Sequence, residues 1–166
     1  MTIKRRGTTS ALKRLAYAQL LILGFSLTHA IQAAPASSLM SGFNPLIGGQ
    51  WVLGSTYQTY TWGPDQQSVF GESFVIHNGE KALGAKGLWY FDPASKTING
   101  VFVATNMPFT VLHYRSHFEA GTLISQVRSL DNLGTENHYQ ETIRVTQPDA
   151  YLWELTEAEP AGNTMK

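Results

Sequence analysis

After residue 45 the chain alternates between short apolar–polar segments and turn-forming residues. The turn signals are centred near residues 64, 78, 94, 107, 120, 133 and 148, which gives spacings of 13 to 16 residues. Asn78-Gly79 is the strongest of them, because a type I′ turn needs positive φ at both central positions. The segments between turns are rich in β-branched and aromatic residues, and none shows a helical period over three turns. The pattern predicts an all-β domain of about nine consecutive antiparallel strands.

The number of strands determines how such a sheet is arranged. A sheet of nine strands twists and tends to close on itself, and closure removes the exposed edges that would pair with other chains. We therefore expect an antiparallel up-and-down β-barrel of about 8–10 strands. A two-sheet β-sandwich would have the same local pattern and is the alternative. A barrel with more than about eight strands has room inside for a small ligand.

Alternation along residues 69–77 places Phe70 and Phe74 on one face, with Glu72 between them. Because this face is apolar, we expect it to point into the barrel. Glu72 then lies exposed at a barrel mouth or, as the alternative, inside and paired with Arg128 or Arg144. The mouth is the preferred position, because an unpaired carboxylate is costly to bury.

Residues 110–119 separate apolar from basic side chains in the same way. Leu112 and Tyr114 share one face, whereas His113, Arg115 and His117 share the other. We expect the basic face to point outward; an inward basic stripe that binds a carboxylate or phosphate is the alternative. On a strand, positions four apart are separated by about 13 Å. One metal ion cannot bridge two histidines at that distance, so the sequence predicts no metal site there.

The first 33 residues have the layout of a secretory signal peptide. A basic stretch over residues 1–14 precedes an apolar run of 13 residues, 15–27, and small residues follow. Cleavage after Ala33 or after Ala30 fits this layout, and an uncleaved N-terminal anchor is the alternative. The apolar run is shorter than the roughly 20 residues of a membrane helix, so we expect an exported protein, periplasmic or secreted, with no stable membrane span after cleavage. The predicted organisation is a signal peptide over residues 1–33, a flexible leader over 34–45, a barrel domain over 46–158 and a C-terminal tail over 159–166.

Charge and composition exclude several classes of protein. From residue 34 onward there are seven basic and twelve acidic residues, which argues against a nucleic-acid partner. The chain contains no cysteine, so it forms no disulfide and no thiolate metal site. No Gly-rich phosphate loop and no nucleophile elbow occurs. Asp92 precedes Pro93 in a turn and is expected to cap that turn rather than to act in catalysis. The sequence therefore predicts no cofactor, and it favours a protein without catalytic activity while leaving that question open.

Three segments carry a resemblance to a known family. They are Gly49-Gln50-Trp51, then Tyr60-Thr61-Trp62-Gly63, then residues 87–96 (GLWYFDPASK). In this order they resemble the G-x-W start, the aromatic second strand and the Y-x-D-P hairpin of a lipocalin-like calycin family of small exported bacterial proteins. The resemblance implies a β-barrel with Trp51 at one end beneath a basic side chain; in this chain Arg144 or Arg128 would supply it, or it would be absent. Haem-binding barrels of similar size use a histidine near the C-terminus, and this chain has none at a matching position.

Aromatic side chains occur in nearly every predicted strand, which indicates either a filled core or a pocket for a ring-bearing ligand. We expect an exported barrel that binds a small hydrophobic or aromatic molecule. An interaction domain with a filled barrel is the second choice, and an enzyme that uses the cavity is the third. The expected ligand-binding residues are Trp51, Tyr60, Trp62, Phe70, Glu72, Phe74, Tyr90, Phe102, Tyr114, Tyr139, Arg144 and Trp153.

Overall fold

The computed structural model describes residues 2–6, 39–105 and 107–159, and within these residues it contains ten β-strands. Every strand is antiparallel to its neighbours, and β1 pairs with both β2 and β10, which closes the sheet. The predicted up-and-down barrel is therefore confirmed, and the sandwich alternative is wrong. The strands are β1 Thr2–Arg6, β2 Gln50–Leu53, β3 Thr56–Trp62, β4 Ser68–His77, β5 Glu80–Asp92, β6 Thr97–Ala104, β7 Val111–Glu119, β8 Thr122–Leu130, β9 Glu136–Gln147 and β10 Ala150–Glu157.

The hairpin turns adopt the conformations that their sequences predict. Asn78 and Gly79 have φ of 51° and 82°, as a type I′ turn between β4 and β5 requires. In the turn after β5, the Asp92 carboxylate accepts hydrogen bonds from the Ala94 amide (2.9 Å) and the Ser95 hydroxyl (2.6 Å). These bonds hold the pKa of Asp92 below its usual value, with the Ser95 hydroxyl as the largest cause. The expectation that Asp92 caps its turn is confirmed.

A short 3₁₀ helix, Met40–Leu46, covers one end of the barrel, which we call the closed end. Its buried side chain Phe43 lies with its ring centroid 5.6 Å from that of Trp89 and 5.1 Å from that of Phe118. The sequence predicts a flexible leader over residues 34–45; the part of it that is described instead forms this packed helix. A second 3₁₀ helix, Pro64–Gln66, connects β3 to β4.

Trp51 is fully buried beneath the 3₁₀ helix at the closed end. Its Nε1 donates a hydrogen bond to the Leu46 carbonyl at 2.9 Å, and the Arg5 guanidinium lies 5.9 Å from its ring centroid. The basic side chain over Trp51 therefore comes from β1. The prediction that Arg144 or Arg128 supplies it is wrong, because Arg144 is exposed on β9 and Arg128 pairs with Glu136 at 3.1 Å.

The N-terminal residues of β1 belong to the segment that the sequence assigns to a signal peptide. In the structure Ile3 is opposite Tyr151 of β10 and Arg5 is opposite Trp51 of β2. Signal cleavage stays a prediction; the uncleaved chain uses Thr2–Arg6 to close its barrel. The apolar run over residues 15–27 and both cleavage points lie outside the described residues. No helix within residues 2–6, 39–105 and 107–159 has the length and hydropathy needed to cross a membrane.

The two strands analysed by face give different outcomes. On β7, Leu112 is buried while Arg115 and His117 are exposed, which confirms the outward basic face. On β4, Phe70 and Phe74 do share a face with Glu72, but that face is the outer one.

The inner face of β4 carries small side chains. A Cβ atom at Gly71 would lie 2.9 Å from the Phe102 ring, so only glycine leaves room for the rings that fill the interior. The apolar character of the outer face therefore predicted the wrong orientation for β4. Its inner face carries no ring and makes room for rings from other strands.

Candidate functional site

A cavity of about 150 Å³ lies inside the barrel between the closed end and the opposite end, which we call the far end. Aromatic and aliphatic side chains from six strands and from the loop between β6 and β7 form most of its wall. Few polar groups reach it, as is usual for sites that bind small organic molecules. The lining residues are Gln58, Tyr60, Gly71, Glu72, Ser73, Ala85, Trp89, Phe102, Met107, Phe109, Leu112, Tyr114, Glu141, Ile143, Trp153 and Leu155.

Three aromatic rings form a continuous wall of the cavity. The Trp89 ring centroid lies 4.5 Å from that of Phe102 and 5.6 Å from that of Tyr114, and Phe102 and Tyr114 are 5.4 Å apart. Trp89 and Phe102 are tilted by 56°, whereas the two pairs with Tyr114 meet at 67° and 68°, the edge-to-face arrangement that aromatic pairs favour. Gly87 makes this packing feasible, since a Cβ atom there would lie 2.1 Å from the Val101 carbonyl oxygen.

The floor of the cavity consists of Gln58 and Tyr60, which line it, together with Tyr151, which contacts both. The hydroxyls of Tyr60 and Tyr151 lie 3.1 Å apart, and both donate to Oε1 of Gln58. Tyr151 also meets Trp51 edge-on with a centroid distance of 4.8 Å, so this group separates the cavity from the closed end. Burial raises the pKa of both tyrosines well above the usual value, so both hydroxyls stay protonated.

Glu141 brings a carboxyl group to the cavity wall although its side chain is only 7% exposed. Its Oε1 accepts a hydrogen bond from Trp153 Nε1 at 2.8 Å, whereas its buried Oε2 accepts none from the described residues. Burial raises the pKa of Glu141 to about 7, and the Trp153 donor and the nearby Ser125 hydroxyl offset only part of that rise. No lysine, arginine or histidine of the described chain lines the cavity, so its charge has no cationic partner there.

The indole nitrogen of Trp89 is a second polar atom whose hydrogen-bonding capacity is unused. The side chain is buried, and Nε1 has no acceptor among the described residues. Most buried donors in proteins are paired, either with protein groups or with ordered water. Two residues that line the cavity, Trp89 and Glu141, therefore each have a buried polar atom, one donor and one acceptor, that the described protein leaves unpaired.

Of the twelve residues expected to bind a ligand, five line the cavity, and one of these, Glu72, lies in the middle of β4 rather than at the expected barrel mouth. The other four are Tyr60, Phe102, Tyr114 and Trp153. The structure does not bring the remaining seven to the cavity. Trp51, Trp62 and Tyr139 pack in the core around it, whereas Phe70, Phe74, Tyr90 and Arg144 lie on the outer face of the barrel.

Glu72 directs its carboxylate toward the outer face, where two lysines pair with it. The distances are 2.5 Å to Lys81 Nζ and 2.9 Å to Lys86 Nζ, and these partners lower the pKa of Glu72, Lys81 having the larger effect. The alternative pairing with Arg128 or Arg144 is wrong. Phe74 lies close by, stacked on Tyr57 with the Lys81 ammonium 4.3 Å from its ring centroid, which explains how it is buried without entering the core.

Sequence reasoning did not find Glu141, although the sequence contains a signal for it. Along β9, Tyr139, Glu141 and Ile143 occupy one face and alternate with Gln140 and Thr142 on the other. A carboxylate on the same face as apolar neighbours is the pattern of a buried charge. Within the described residues there is no cluster of three His, Cys, Asp or Glu side chains that could hold a metal ion.

Comparison with known proteins adds no further assignment. The chain matches no family model, no curated protein and no solved structure. The resemblance to lipocalin-like calycins accordingly stays a prediction, and the conclusions about the site depend on its geometry.

Proposed function

We propose that the barrel binds a small, mainly apolar, ring-bearing molecule in its internal cavity. The observation that carries the proposal is a cavity of about 150 Å³ whose wall includes the packed rings of Trp89, Phe102 and Tyr114. In another protein, an apolar cavity of roughly this volume holds a benzene ring. The size therefore favours a ligand with one aromatic ring over a fatty acid or a polycyclic compound.

The alternative is a barrel whose interior serves packing alone. Ring-lined cores are common, and a void is costly because its lining loses van der Waals contacts. Two observations favour a binding cavity over a packing defect. The residues that line the void include Trp89 and Glu141, each of which has a buried polar atom without a partner among the described residues, and the void extends to Met107 and Phe109 in the loop at the far end.

Calorimetric titration with toluene, paired with a cavity-filling substitution, tests the proposal. Ala85 lines the cavity on β5, so Ala85→Leu should fill part of the void and weaken toluene binding at least ten-fold. Ala82 is exposed on the same strand, and Ala82→Leu is the matched control that should keep wild-type affinity. Failure of the wild-type protein to bind toluene, or equal affinity in Ala85→Leu, would contradict the proposal.

We also propose that the protein is exported, on the strength of the basic, apolar and small-residue order of residues 1–33. Cleavage after Ala30 or Ala33 removes β1, so β2 and β10 lose the strand that they share. Intact mass measurement of the protein recovered from the periplasmic fraction should give a chain that begins at Ile31 or Ala34. A chain that retains Thr2 and stays in the cytoplasm would contradict export.

A further inference from the structure

The charge of Glu141 distinguishes this cavity from a purely apolar one. Glu72 and Glu141 are the acidic residues along its wall, and the two lysines outside the barrel already pair with Glu72. Glu141 has no such partner: Trp153 Nε1 donates to its Oε1, and the nearby Ser125 hydroxyl is the other polar group that stabilises its charge. Burial of an unpaired carboxylate costs free energy. A cation in the cavity would gain binding free energy by pairing with it, whereas a neutral molecule would not.

The rings around Glu141 are also suited to a cation. Aromatic faces attract ammonium groups through their quadrupoles, and aromatic cages bind such ligands in other proteins. Trp89, Phe102, Tyr114 and Trp153 all line the same cavity as the carboxylate. A ligand anion, by contrast, would face the Glu141 charge with no described cation to offset it.

We propose that the ligand is a small ring-bearing amine in its ammonium form, whose N–H groups contact the Glu141 carboxylate while its ring lies among Phe102, Tyr114 and Trp153. This inference rests on the proposed function, because it requires that the cavity accept a ligand. It goes further in assigning the charge of that ligand and the group that recognises it.

The affinity for such a ligand depends on the ionisation of Glu141. The groups that face its carboxyl from the surrounding strands are Ser125 on β8, Trp153 and Tyr151 on β10, Tyr60 on β3 and Tyr114 on β7. The tyrosines keep their protons because burial raises the pKa of each, so Glu141 is the member of this group that titrates near neutrality. Ammonium binding should therefore strengthen about ten-fold from about pH 6 to about pH 8, while toluene binding stays constant.

Calorimetric titration with benzylammonium and toluene, which differ in the ammonium group, tests the inference. At about pH 8 the wild-type protein should bind benzylammonium at least ten-fold more tightly than toluene. Glu141→Gln keeps an acceptor for Trp153 but removes the charge, so it should reduce benzylammonium affinity to the toluene level or below, because the ammonium then loses hydration without a counter-charge, and abolish the pH dependence. Glu154 is exposed on β10, and Glu154→Gln should behave as wild type.

Each outcome separates this inference from the proposed function. If toluene binds and benzylammonium binds no more tightly, the ammonium inference fails while the apolar pocket stands. Unchanged benzylammonium affinity in Glu141→Gln also overturns the inference. If neither compound binds, both proposals fail. If Glu141→Gln does not fold, the pH dependence of benzylammonium affinity in the wild-type protein tests the same inference. A rise in affinity from about pH 6 to about pH 8 supports it, and constant affinity overturns it.

Discussion

A buried carboxyl group dominates the electrostatics of the barrel interior. Burial raises the pKa of Glu141 from 4.5 to about 7, so the folded protein holds this proton more tightly than the unfolded chain does. Ionisation of Glu141 therefore costs stability as the pH rises from the unfolded value through about 7. The cost is absent below about pH 4 and complete above about pH 8.

Glu141→Gln should remove this cost, and the size of its effect on stability should depend on pH. The difference in pKa corresponds to about 3 kcal/mol, so the variant should gain roughly that much unfolding free energy, relative to wild type, between about pH 4 and about pH 8. Urea denaturation of both proteins at the two pH values measures it. An unfolding free energy difference that is the same at both pH values would contradict the raised pKa.

Residue type alone could not identify the lining of the cavity. Trp89 and Tyr90 are adjacent aromatic residues on β5, yet Trp89 lies inside and Tyr90 is 41% exposed. The sequence supplied the candidates because rings dominate pockets, whereas the face of each ring depends on strand register. Glu141 is the converse case. Its alternation with polar neighbours indicates that its side chain points inward, whereas its charge argues against burial.

At the scale of the strands, the period of alternation is more reliable than its direction. The sequence predicts correctly which β4 side chains share a face, but small residues line the inside at Gly71, where rings from β5 and β6 occupy the space. Beyond this point the register between β4 and β5 shifts between Ser73 and Phe74, and Gly84 is the additional residue on β5. A glycine within a strand is a local signal for a bulge or a bend, and Gly84 agrees with it, but the signal does not give the direction in which the strand faces.

The contribution of β1 could not be predicted from its own sequence. Among residues 2–6 only Ile3 is apolar, and the basic neighbours are typical of the start of a signal peptide. Its pairing depends on the gap that the other nine strands leave between β2 and β10. Ile3 fills that gap at 1% exposure, whereas Thr2 is exposed.

Substitutions in β1 should separate a structural strand from a segment that merely precedes the domain. In the full 166-residue chain, Ile3→Ala should lower the free energy of unfolding by about 3 kcal/mol, as expected for a buried isoleucine. Thr2→Ala should change it by less than about 0.5 kcal/mol. Urea denaturation measures both, and equal small effects would show that β1 does not close the barrel of the intact chain.

For the whole molecule, the number of strands determines the fold. The side chains inside the barrel determine how much of its interior stays empty. A ten-strand barrel is wider than the eight-strand barrels whose interiors side chains just fill. Here the Met40–Leu46 helix fills the closed end, and the Tyr60, Tyr151 and Gln58 group forms a floor above it. The remaining volume is the cavity at the far side of that floor. The sequence predicts the barrel from its hairpin rhythm, but the extent of filling depends on tertiary packing and had to be seen in the structure.

The central claim is that a small ring occupies the interior of a closed barrel, and methyl-resolved NMR of the full 166-residue chain, which retains β1, with bound toluene tests it most directly. Leu112, Ile143 and Leu155 line the cavity, whereas Leu83 and Val103 are exposed on the outer face. Intermolecular NOEs should connect the ring protons of toluene to methyl groups of the first three residues. NOEs to Leu83 and Val103 instead, or none to any cavity methyl at saturating toluene, would contradict it.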